Sequence, residues 1–322
     1  MKILRTATRP FGDRRPVVTI GNFDGVHRGH QGVLEQLRSL AVAGGHPSVV
    51  ICFEPQPREF FARPRLQDRI TPLREKLALL AGLGIDAALV LRFDAGLAEL
   101  SAESFVERIL VRQLAAAQIL VGDDFRFGRA RAGDLHLLGL LGDRYGFRVL
   151  RAPTHRMDDA RVSSTRVREA LLAGELDAAR HLLGHHFRIR GRVVTGERLG
   201  RSLGFPTANL GLGAWRLPLA GTFTAWVEGL AVGSGPHPAL AYVGHRPVVH
   251  GTRQVLEVHV IDWSGDCYGR PLEVTFGTRL RPDEALGSLD VLIERMHADL
   301  RAARCWFVHH PLPGRLGLRP LD

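Results

Sequence analysis

The rhythm of apolar residues changes once along this chain, and that change constrains the fold more than any other feature of it. Up to about residue 184, short apolar runs alternate with segments of helical periodicity. Residues 17–21, 49–53, 88–93, 118–122 and 147–150 read as strands, with helices at 31–41, 73–81 and 101–116 between them. In the first helix Val33, Leu34, Leu37, Leu40 and Ala41 share one face, and Ser101 supplies the cap of the third. Such alternation predicts a doubly wound α/β domain with a parallel sheet. Past a helix at 175–183 the pattern becomes short strands at 187–195, 222–228, 240–243, 255–262 and 272–276, parted by Gly/Pro-rich turns. One helix returns at 288–303. That order predicts a mainly antiparallel β-barrel with a C-terminal helix. The 322 residues suit two domains, 1–184 and 185–322.

Composition narrows the function classes. Cys52, Cys267 and Cys305 are odd in number and far apart, which suits neither a disulfide framework nor a C-x-x-C site and fits thiols in a reducing cytoplasm. No signal peptide and no run of transmembrane length is evident, so no membrane partner and a cytoplasmic location are expected. The net charge of +10 comes from arginine scattered along the chain, without a dense basic block interleaved with aromatics. That scatter argues against a nucleic-acid partner and is compatible with anionic small substrates.

Gly21 to His30 reads G-N-F-D-G-V-H-R-G-H. A strand ends, glycines let the backbone turn, and a helix opens just beyond, where exposed N–H groups and the macrodipole favour a phosphate. His27 and His30, three apart, can meet one anion from one helical turn and stabilise charge developing on a leaving pyrophosphate. A plain structural turn with surface histidines is the other reading. A metal pair lacks a nearby third ligand in the sequence.

Three further strings accompany it: E-P-Q-P-R-E-F-F at 54–61, V-G-D-D-F-R-F-G at 121–128 and R-V-S-S-T-R-V-R at 161–168. Together the four resemble the nucleotidyltransferase superfamily with its H-x-G-H signature, and within it the adenylyltransferase half of bacterial riboflavin kinase/FAD synthetases. The resemblance implies a Rossmann-like domain that transfers AMP from ATP to FMN. It places Gly21, Phe23, Asp24, Gly25, His27, His30, Arg161, Ser163, Ser164, Thr165 and Arg168 around ATP. Asp123, Asp124, Phe125 and Arg126 fall on the flavin side. Asp24 and Asp123 can equally be turn-capping residues. The FMN phosphate is already anionic, so this step needs positioning and charge neutralisation rather than a general base.

In the second half, Gly191 to Leu210 reads G-R-V-V-T-G-E-R-L-G-R-S-L-G-F-P-T-A-N-L. Glycines 196, 200 and 204 allow close backbone approach, and Pro206 stiffens a turn from which Thr207 and Asn209 present hard oxygens. The string resembles that of riboflavin kinases. The resemblance implies ATP binding by Gly191, Gly204, Pro206, Thr207 and Asn209, with Mg²⁺ on Thr207 and Asn209. It also implies a catalytic carboxylate on a strand reading L-E-V-H, which here gives Glu257. Strand alternation puts Glu257 and His259 on one face. Asp262 to Arg270 matches the family's acidic hairpin. Where many relatives read G-x-R-P-T, this chain reads G-H-R-P-V and Val248 lacks the hydroxyl. The expected small molecules are therefore riboflavin, FMN, FAD and ATP, handled in two reactions.

Overall fold

The structure is a computed structural model. It describes residues 1–5, 9–62, 69–196, 200, 203–213, 215–231, 235–248, 251–284 and 287–310, apart from the side chains of 246–248 and 251–253. These residues form two compact units, one of 1–62 and 73–163, the other of 69–72 and 164–310.

The first unit is built on a six-stranded parallel sheet. Its strands are β1 (Lys2–Leu4), β2 (Val17–Ile20), β3 (Ser48–Glu54), β4 (Ala87–Arg92), β5 (Gln118–Val121) and β6 (Arg148–Arg151), in the order β1-β4-β3-β2-β5-β6. The helices are α1 (Arg28–Ala43), α2 (Pro57–Phe61), α3 (Leu73–Gly82), α4 (Ala95–Ala98), α5 (Ala102–Phe105) and α6 (Leu135–Tyr145). Alternate strand residues feed two apolar layers. Val18, Ile20, Val49, Ile51, Leu89 and Ile119 pack with Phe105, Leu110, Leu138 and Leu141 on one side. On the other, Val17, Val50, Cys52, Ala88, Val90 and Leu120 pack with Leu34 and Leu37 of α1 and Leu77 and Leu80 of α3. Burial on both faces is what a parallel sheet with helices on either side requires. The segment 101–116, expected as one helix, runs as α5 and then as a π-helix over Val106–Gln113, with Ser101 capping through its acceptance of Ser104 N–H. The hairpin β7 (Arg156–Met157) and β8 (Ala160–Arg161) follows the sheet.

The second unit begins with α7 (Ser164–Ala173) and α8 (Leu176–Leu183), which pack on each other. The strands β9 (Arg188–Val194), β10 (Ala208–Leu210), β11 (Gly221–Glu228), β12 (His237–Val248), β13 (Gly251–Val260) and β14 (Pro271–Arg281) close a barrel in the order β10-β13-β12-β11-β14-β9. Every neighbouring pair is antiparallel. The helix α9 (Leu289–His309) lies on it, with Ala303, Leu300 and Phe307 against Leu240, Ile261 and Leu280. Inward residues such as Ala241, Val243, Leu256 and Val258 are fully buried, so residues of the opposite parity on β12 and β13, Tyr242 and Glu257 among them, face outward.

Candidate active sites

In the first unit the turn after β2 is wound tightly. Phe23 and Val26 take left-handed φ values of 47° and 42° around Gly25 at 84°. For a β-branched residue such as Val26 this is a strained conformation, of the kind that persists where a site needs it. The coil delivers His27 to the N-cap of α1, where its Nδ1 accepts the His30 N–H at 3.3 Å. The backbone carbonyl of His27 accepts the Gln31 N–H at 2.9 Å. The two imidazoles stack, with ring centroids 3.6 Å apart and planes 16° from parallel, and Phe23 closes on His30 at 5.0 Å. His27 is 4% exposed. Burial first, then the charge of Arg161, holds its pKa down at about 4. His30 is also pushed well below the usual histidine range, by burial and then by His27, Lys76 and Arg161. Both rings are therefore neutral at pH 7. Gly29 leaves room for this pair, because a Cβ there would sit 3.2 Å from the His27 ring and 3.3 Å from the Val162 carbonyl.

Arg161 joins two groups of expected site residues. It acts electrostatically on both histidines and forms ion pairs with Asp124 at 2.8 Å and Asp123 at 3.9 Å. Asp123 also accepts from Thr154 at 3.0 Å and from Arg151 at 3.3 Å, bonds that lower its pKa. Phe125 and Arg126 are engaged inside their own loop: Phe125 stacks on Phe127 at 5.4 Å, and Arg126 pairs with Asp134 at 3.3 Å. Gly21 donates to Ile51 O, and Asp24 and Gly25 are buried in the short 3₁₀ turn at 24–26. The S-S-T-x-x-R string is divided. Ser163 ends the first unit, while Ser164, Thr165 and Arg168 stand on the first turns of α7 in the second.

In the barrel, β10 pairs with β13 so that Asn209 stands opposite Glu257. Thr207 Oγ1 donates to Glu257 Oε2 at 3.4 Å, and the Pro206 carbonyl lies 2.9 Å from His259 Nδ1. Phe205 packs between His259 and His297 of α9, at 5.3 and 4.9 Å. Gly196 and Gly200 are needed for close approach: a Cβ would overlap the Asn209 amide at the first and the Phe205 carbonyl at the second. Gly204 takes a left-handed φ of 79°. Gly191 sits in β9 against Leu210, a packing position within the barrel wall. A hydroxyl, an amide and a carboxylate thus converge, a hard-oxygen set that fits a divalent cation such as Mg²⁺. The backbone of Val248 pairs with Gly251, and its side chain lies outside the described residues.

Two comparisons meet at these sites. The family model for FAD synthetase matches residues 11–166, and the model for riboflavin kinase matches residues 183–307. The bifunctional riboflavin kinase/FMN adenylyltransferase of Escherichia coli K12 is 45% identical over 291 residues, 90% of this chain and 92% of the relative. The chain belongs to this bifunctional family. It is accordingly an enzyme with two activities, FMN adenylyltransferase and riboflavin kinase. The Pseudomonas fluorescens member is 47% identical over 289 residues, 89% of this chain and 92% of its own. Among solved structures, a Streptococcus pneumoniae chain described as a macrolide-efflux protein superposes with a TM-score of 0.79 at 28% identity, covering 95% of this chain and all of that one. Among the described residues no helix is long and apolar enough to cross a membrane.

Sequence reasoning passed over several groups beside these sites. Phe53, Phe60, Phe61 and Phe93 form an edge-to-face cluster at the C-terminal ends of β3 and β4, with Phe61 69% exposed. The F-F pair of the quoted string was its only signal. Tyr242, opposite Glu257 in register, donates to Asp283 at 2.8 Å; burial and that bond push the phenol's pKa up. Lys76 of α3 is fully buried.

Proposed function

We propose that the two activities are carried by domains 1–184 and 185–322 and run in sequence. Riboflavin and ATP give FMN and ADP on the barrel, and FMN and ATP give FAD and pyrophosphate on the parallel-sheet domain. The observation that carries the assignment of roles is the convergence of Thr207, Asn209 and Glu257 across β10 and β13. The riboflavin 5′-hydroxyl must lose a proton as it attacks the γ-phosphorus, and Glu257 takes it. Thr207 and Asn209 would hold Mg²⁺, which would supply positive charge to offset that of the phosphates. Gly204 and Pro206 shape the ATP turn beside them.

At the other site an FMN phosphate oxygen attacks the α-phosphorus of ATP, and the bond to pyrophosphate breaks. Because Nδ1 of His27 is occupied as an acceptor, its proton sits on Nε2, which donates to the leaving phosphates. The N-terminus of α1, His30, Arg161 and Ser163 complete the phosphate site within the first unit, and the family resemblance adds Ser164, Thr165 and Arg168 as ATP-binding residues. Asp123 and Asp124 orient Arg161 on the flavin side, and the exposed ring of Phe61 offers a face to the isoalloxazine. We place the enzyme in the cytoplasm with small-molecule partners and no nucleic acid. Purified protein given riboflavin, ATP and Mg²⁺, with flavins separated by chromatography, forms FMN and then FAD. No product from riboflavin or from supplied FMN sinks the assignment.

A further inference from the structure

Strand β10 pairs with β13 from Ala208, opposite Val258, to Leu210, opposite Leu256. The turn that carries Thr207 lies just before this ladder, and Pro206 has no N–H with which to extend it. A side chain of β13 takes hold of the turn there instead. His259 Nδ1 lies 2.9 Å from the Pro206 carbonyl oxygen. A carbonyl oxygen accepts and never donates, so Nδ1 carries the proton, and this bond selects the tautomer of the neutral ring. His259 and Glu257 are two apart on β13 and share a face. They grip consecutive residues of the turn: His259 donates to the Pro206 carbonyl, and Glu257 accepts from the Thr207 hydroxyl at 3.4 Å. The His259 ring is itself braced. Phe205, 4% exposed, tilts against it at 5.3 Å and meets His297 of α9 edge-on at 4.9 Å. The Phe205 N–H donates to the Gly200 carbonyl at 2.8 Å and closes the base of the turn. Thr207 therefore follows directly after two anchored residues, Phe205 and Pro206.

We propose that His259 is a positioning residue for riboflavin phosphorylation: its Nδ1–H holds the Pro206 carbonyl and so fixes the oxygens of Thr207 and Asn209 against Glu257. This rests on the reading of those three residues as the kinase site. His259 touches neither substrate in this account and acts through the turn alone. Losing its donor leaves the turn tied at Gly200 and at Ala208 but not between them. The Thr207 hydroxyl is then free to swing, and a small misplacement of such a group is felt in turnover more than in binding of the distant flavin ring.

The test compares two variants of the full-length enzyme. His259→Leu removes the donor and keeps an apolar body against Phe205. His259→Asn carries an amide N–H on Cγ, the same carbon that bears Nδ1 in histidine. The expected result for Leu is a kinase kcat lowered about tenfold, with the KM for riboflavin within about twofold of wild type. FAD formation from supplied FMN stays unchanged. Asn restores kcat to within about threefold of wild type. A second readout does not depend on turnover: calorimetric titration with ADP, with and without Mg²⁺. The gain in ADP affinity that Mg²⁺ brings shrinks in Leu and is kept in Asn. A wild-type kcat in Leu overturns the proposal. So does equal impairment of Leu and Asn, which marks a ring needed only for packing against Phe205, and so does a parallel loss of adenylyl transfer. Where Leu yields no folded protein, His259→Gln, whose amide sits one carbon further out, is judged by the same measurements, and loss of folding there too overturns the proposal. Wild-type enzyme that forms no FMN from riboflavin removes the underlying reading, an outcome distinct from a His259 variant that behaves as wild type.

Discussion

Burial and the neighbouring Arg161 charge keep His27 neutral. Its pKa of about 4 lies far below the usual histidine value of 6.5. Between those values an unfolded chain binds a proton that the native one refuses. Stability is therefore complete above pH 6.5 and declines as the pH falls toward 4, by on the order of 3 kcal/mol from this residue. His27→Asn keeps an oxygen acceptor at the N-cap and removes the titrating ring. The expected outcome is a smaller drop in denaturation midpoint between pH 7 and pH 5, with adenylyl transfer reduced roughly a hundredfold by loss of the Nε2 donor. A pH slope as steep as in the wild type counts against this account. At the barrel, Glu257→Gln leaves Thr207 a partner but no acceptor for the substrate proton. Kinase turnover falls by roughly a hundredfold or more while FAD formation from supplied FMN continues. If FMN still forms from riboflavin at the original rate, another group is the base.

The elements show the same dependence on close approach. At Gly200 a methyl group would strike the Phe205 carbonyl, which belongs to backbone and cannot rotate away. Gly200→Ala therefore shifts the turn that carries Thr207, and kinase kcat/KM drops at least tenfold by the scale of small misplacements at a site, with adenylyl transfer unaffected. Measuring both activities on the one variant checks it. How much of this was legible follows from the same physics. Strands β2 to β6 and five barrel strands are regular apolar runs and could be read directly. The start of α1 at Arg28 was not, because its cap is the His27 side chain rather than a usual capping residue. The helix α6 was hidden by glycines in its interior, one of which, Gly142, is there because the Phe147 carbonyl leaves no room for a Cβ. Strand β10 is three residues long and overlaps the end of P-T-A-N. The candidate site residues could be singled out because they sit in contiguous strings. The burial of Lys76 was not legible, since a lysine within L-R-E-K reads as a solvent face until α3 is seen packed.

For the molecule as a whole, the question is whether one chain must perform both steps on the same FMN. The groups proposed to act on riboflavin lie within β10, β13 and the preceding turn, and those proposed to polarise ATP for FAD synthesis lie around α1 and Arg161. The phosphate added by the kinase step makes FMN more anionic than riboflavin, and a chain with net charge +10 favours its recapture from solution. Passage through solvent then suffices. Mixing Glu257→Gln enzyme, silent as a kinase, with His27→Asn enzyme, impaired as an adenylyltransferase, is expected to restore FAD formation from riboflavin well above what either gives alone. The restored rate should rise with total protein concentration, because FMN must find a second molecule. It should also fall when a scavenger that binds free FMN is added. Failure of the mixture to exceed its parts, with each variant retaining its own remaining activity, would mean that FMN is passed on only within the chain that made it.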